Sequence, residues 1–97
     1  MNAGRMIFWV GSNDEERIII VRAYCQNNLE EKIGLGIICH LAEESKRFNL
    51  SILKEYNDSE PEELVNITPS NIVISFEYLL ESDKKKFIDY LGEMSCF

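Results

Sequence analysis

Residues 71–78, NIVISFEY, alternate Ile72, Ile74, Phe76 and Tyr78 with Val73, Ser75 and Glu77. Side chains leave a strand on opposite faces with period two, so this stretch predicts a β-strand with one apolar face turned to a core. Its β-branched and aromatic content favours the same reading. Thr68 and Pro69 break the chain just before it. Beyond it, Ser82 can cap a final helix whose apolar face is Phe87, Ile88, Tyr90, Leu91 and Met94, with Gly92 near its end. Lys84, Lys85 and Lys86 fall in the first turn of that helix, where cations oppose the dipole. Either the helix starts earlier, or these lysines are held by something else. A solvated basic patch balancing nearby acids is the plain account.

Upstream of the 71–78 strand, residues 50–56 alternate, placing Leu50, Ile52 and Tyr56 on one side of an expected third strand. Before that, Leu29, Ile33, Ile37 and Leu41 recur every four residues, with Phe48 extending the stripe of an amphipathic helix. Asn28 followed by Glu31 fits a variant capping box at its start. Gly34 and Gly36 weaken the helix, and close packing on the sheet would account for them. Residues 17–25 predict another strand, whose Ile18, Ile19, Ile20 and Val21 run without alternation and suggest cover on both faces. Residues 6–10, MIFWV, followed by the turn cluster Gly11, Ser12, Asn13 and Asp14, predict its hairpin partner.

The order ββαββα defines an α+β fold: a single domain over residues 1–97, with a mostly antiparallel sheet of about four strands and two main helices on one face. A chain of this length buries about two-thirds of its unfolded surface, enough for one core.

Seventeen acidic residues stand against ten basic ones, a formal charge of −7. Glu55, Asp58, Glu60, Glu62 and Glu63 crowd into nine positions without a Lys or Arg, and Pro61 ahead of Glu62 and Glu63 suits the first turn of a short helix. Such a charge disfavours nucleic acid and anionic membrane as partners, because those polyanions are bound through Lys and Arg. It favours a basic protein partner, whose encounter a complementary field accelerates. The expected contact set is Glu55, Tyr56, Asp58, Glu60, Glu62 and Glu63, with Tyr56 as an aromatic anchor ringed by carboxylates.

Cys25, Cys39 and Cys96 are widely spaced and lack the pairing of a zinc or redox motif, so reduced thiols are expected, with Cys25 and Cys39 as buried structural side chains. His40 is the only histidine, three and four residues before Glu43 and Glu44. One histidine does not supply the three ligands a catalytic zinc normally takes, and neither metal nor cofactor is expected. Residues 34–36, Gly-Leu-Gly, lack the third glycine and the lysine of a phosphate loop. The apolar run at 6–10 is shorter than a secretory signal requires, and no stretch reaches membrane-spanning length, so a cytoplasmic address is expected.

In size and charge the chain is similar to small immunity proteins that neutralise nuclease toxins, and to phage-encoded inhibitors that imitate DNA. It shares no motif with either. The reading is a non-enzymatic acidic protein-binding module, most simply an inhibitor or immunity-type protein acting on a basic partner such as a nuclease toxin. An oligomerising or adaptor subunit that assembles with copies of itself is the alternative, and a small enzyme using His40 is a third.

Overall fold

A computed structural model describes residues 7–58 and 70–94. Four strands and two helices follow one another as β1 (Ile7–Asn13), β2 (Ile18–Cys25), α1 (Asn28–Glu44), β3 (Ser51–Asp58), β4 (Ser70–Glu77) and α2 (Glu81–Met94). The α+β class and the ββαββα order are those expected. The sheet runs β1-β2-β4-β3, with every neighbouring pair antiparallel, so β2 and β4 are central and β1 and β3 are the edges.

The decisive strand behaves as its pattern requires. Ile72, Ile74 and Phe76 of β4 are buried and pair with Ala23, Val21 and Ile19 of β2, also buried. Among the described residues, helices cover only one face of strand β2. Its burial alternates, with Ile19, Val21, Ala23 and Cys25 inside and Ile18, Ile20, Arg22 and Tyr24 half-buried. On the face of these last four, Val73 of β4, the register partner of Arg22, is also buried, whereas both helices lie over the face of the first four. Helix α1 meets that face at Gly34, where an added Cβ would stand 3.0 Å from Ile72 Cδ1 and 3.1 Å from Cys25 Sγ. Helix α2 meets it at Phe87, whose ring stands edge-on to Phe76 with centroids 4.9 Å apart.

The buried stripe of α1 is Gly34, Ile38 and Leu41. It is rotated from the expected one, because the helix settles on the side where glycine lets its backbone approach the sheet; Leu29 and Ile33 are consequently exposed and Ile37 only partly buried. Gly36 has open space around it and no packing role. The cap is Asn27, one residue before the expected Asn28. Its side chain accepts from the Glu30 amide at 2.9 Å, while Glu30 Oε1 accepts from the Gln26 amide at 2.8 Å. The cap half of the expectation holds one position earlier, whereas the glutamate accepts from the amide before the cap and not from the cap's own. After α1 the chain turns through Asn49 in the left-handed region (φ 59°), a conformation asparagine tolerates better than most residues.

Candidate functional site

Strand β3 extends two residues beyond the expected end at Tyr56, so Glu55, Tyr56 and Asp58 belong to an edge strand rather than lying partly in a loop. Glu55 pairs with Ile74, Tyr56 with Val73 and Asp58 with Asn71. Glu60, Glu62, Glu63 and the short helix expected at Pro61 lie outside the described residues. Between Ile52 and Lys54 the register slips: Ile52 pairs with Phe76 and Lys54 with Ser75, leaving Leu53 as an extra residue. A bulge exchanges the faces of everything beyond it. The register positions of Ile52 and Tyr56 are therefore not related by simple alternation: Tyr56 pairs with Val73, whose row runs on through Arg22 to Trp9.

A second cluster joins α1 to α2. His40 Nε2 lies 2.5 Å from the Tyr90 hydroxyl. One turn on, Glu44 holds Arg47 at 2.6 Å, and the Arg47 guanidinium lies over the rings of Phe48 and Tyr90, 4.6 and 5.3 Å from their centroids. Burial, and then the Glu44 charge, push the Tyr90 hydroxyl above the usual phenol range. The phenol stays protonated and is poorly suited to act as a base or nucleophile. His40 thus makes its side-chain hydrogen bond across the interhelical contact, not with the nearby Glu43 or Glu44. Sequence holds no signal for a partner fifty positions away.

The third cluster explains one of the lysines at the start of α2. Lys84 Nζ donates to Asp14 Oδ1 at 2.6 Å, and the Tyr78 hydroxyl donates to the same oxygen at 2.9 Å. These two hydrogen bonds, Lys84 first, hold the Asp14 carboxyl below the ordinary carboxylate range. Tyr78 is pushed up by burial and then by its bond to Asp14; Lys84 is pushed up chiefly by its bond to Asp14. Beside them, Arg17 Nη1 donates to the Leu79 carbonyl at 2.7 Å and the Tyr78 amide donates to the Arg17 carbonyl at 3.0 Å. The β1–β2 turn is thereby clasped to the junction between β4 and α2. Lys85 pairs with Asp89 one turn on, at 3.1 Å.

Cys25 is buried, and desolvation followed by the charges of Glu31 and Glu30 raises its thiol, so it remains a neutral core side chain. Cys39 is exposed, contrary to expectation, because the rotation of α1 turns it away from the sheet. Cys96 lies outside the described residues. Among those residues no group of three or more His, Cys, Asp or Glu is placed to hold a metal ion, and no helix is long and apolar enough to cross a membrane. Comparison with protein-family models, curated proteins and solved structures gives no match.

Proposed function

We propose that this chain is a non-enzymatic acidic protein-binding module that engages a basic protein through the β3 edge and the acidic segment following it. The observation that carries this reading is the position of Glu55, Tyr56 and Asp58 on an edge strand, leading directly into Glu60, Glu62 and Glu63. An edge offers a partner both backbone hydrogen-bonding groups and side chains at alternate positions. Here the sequence adds carboxylates and one aromatic, a combination suited to lysines and arginines around a hydrophobic contact. The net charge of −7 supplies the long-range steering. Masking a basic active site, as an immunity-type inhibitor does with a nuclease toxin, is the finer form of this proposal. The engagement of His40, Lys84 and Tyr90 in contacts between elements favours a binding role over catalysis at those side chains.

The test is affinity capture from the native organism, followed by titration of the purified partner against the full chain. A basic partner should bind at low salt and weaken as ionic strength rises from about 0.05 to about 0.5 M, where the screening length shortens severalfold. Replacing Glu60, Glu62 and Glu63 together by Lys should abolish that binding. A charge-reversed chain that keeps every partner at unchanged affinity would overturn the proposal.

A further inference from the structure

The two edges of the sheet are finished differently. Strand β3 carries the devices by which natural edges resist pairing: a bulge at Leu53 and the charges of Lys54, Glu55 and Asp58. Strand β1, IFWVGSN, carries none of them. Its seven residues include no charge and no proline, and its register with β2 is unbroken from Ile7 to Asn13. Trp9 and Val10 are 47% and 39% exposed on it, and among the described residues its outer side pairs with no strand. A long, regular, uncharged edge is a template for another strand.

From this we infer that β1 is a self-association edge, across which two copies of this chain pair antiparallel about a two-fold axis at Val10 and join their sheets into one. The choice of a second copy rests on charge and shape. An uncharged strand offers a basic partner nothing to recognise. Against its own copy it sets Val10 opposite Val10, Trp9 opposite Gly11, Phe8 opposite Ser12 and Ile7 opposite Asn13, so no like charges face each other although each chain carries −7. The acidic turn residues Asp14, Glu15 and Glu16 fall just past the paired segment, with Asp14 already bound by Lys84 and Tyr78.

Self-association of two acidic chains must overcome their mutual repulsion, so salt acts on it in the sense opposite to its action on a basic partner. The experiment is sedimentation equilibrium of the full chain at low and high salt, with Val10→Lys as the variant and Leu53→Lys and Ile33→Lys as controls at the other edge and on the exposed face of α1. We expect a dimer that tightens with salt, is weakened at least about tenfold by Val10→Lys, and is unchanged by either control. A chain that stays monomeric up to about 1 mM at high salt, beyond the range of most specific self-association, overturns the inference. So does a dimer that survives Val10→Lys and is lost in either control. Should Val10→Lys fail to fold, hydrogen exchange on the unaltered chain decides: the amides of β1 must slow as concentration rises while those of β3 do not, and any other outcome overturns it.

Discussion

Strands β1 and β3 close the same sheet at equal distance from its centre, yet one is regular and uncharged whereas the other is bulged and carries Lys54, Glu55 and Asp58. Each inner flank pairs with a central strand, β1 without a break and β3 across its bulge, and the outer sides differ further in what they offer to another molecule. Under the proposed function, the carboxylates of β3 attract a cationic partner and repel a second acidic chain. On β1, where only backbone groups and apolar side chains remain, shape decides. Under the two proposals together, one sheet presents two surfaces whose binding responds to salt with opposite signs, and each can be probed without touching the other.

The largest expected effect removes the support both edges share. Phe76 of β4 is fully buried, faces Ile19 of β2 and Ile52 of β3 in register, and meets Phe87 of α2 edge-on. Phe76→Ala should cost about 3–5 kcal/mol, the usual range for emptying a buried aromatic site, read as a lower urea midpoint at constant slope. Amide protection should fall at β1 and β3 together. Protection kept at β1 and lost at β3 would mean that the edges belong to separately stable halves, and comparing them as edges of one sheet would fail.

Most of what makes Phe76 central was legible in the sequence. Strict alternation in residues 71–78 marks which side chains face the core, and most element bounds lie within a residue or two of those expected, although β1 runs three residues further than expected, through Gly11, Ser12 and Asn13 of the supposed turn cluster. What could not be read there depends on where elements dock. The buried stripe of α1 turns on Gly34, whose missing side chain matters only once Ile72 and Cys25 lie beneath it. The bulge at Leu53 is a property of the pairing of β3 with β4, and no local composition announces it. Of the candidate site, the acidic run was visible as charge, but the place of Glu55 and Asp58 on an edge strand follows from the strand order. The contacts of Asp14 with Tyr78 and Lys84 join positions more than sixty apart, and their residue types are too common to single them out.

That clasp sharpens the comparison, because it anchors the turn leading out of β1 and leaves β3 alone. Asp14 has a lowered carboxyl pKa in the folded chain, so its contribution is present above the ordinary carboxylate range and is lost as pH falls through the folded value. Tyr78 and Lys84 are raised, so theirs is complete below their unfolded values, near pH 10, and is lost as pH rises through the folded ones. The stability difference between the natural chain and Asp14→Asn should therefore be widest between about pH 5 and about pH 9 and narrow on both sides. It should be smaller than the effect of Phe76→Ala, since Asp14 is mostly exposed. Hydrogen exchange should quicken at the β1–β2 turn and stay constant in β3. A pH-independent difference, or one that loosens β3 equally, would show that the clasp is not specific to the β1 side.

The smallest effect concerns the turns through which the two edges join the rest of the chain. Each holds one residue in the left-handed region, Arg17 (φ 60°) after β1 and Asn49 (φ 59°) before β3. For most residues that conformation costs about 1–2 kcal/mol relative to glycine, and asparagine feels less of it. Glycine also loses more entropy on folding, by about 0.5–1 kcal/mol. At Asn49 the two terms nearly cancel, so Asn49→Gly should move stability by less than about 0.5 kcal/mol in either direction. At Arg17 relief and entropy again offset, but the hydrogen bond from the guanidinium to the Leu79 carbonyl is lost as well. Arg17→Gly should therefore destabilise by about 0.5–1 kcal/mol, the net worth of one exposed hydrogen bond. Paired urea titrations separate the outcomes. If Arg17→Gly proved the more stable chain, backbone strain would outweigh the long-range bond, and the firmer anchoring argued for the β1 side would rest on Asp14, Tyr78 and Lys84 alone.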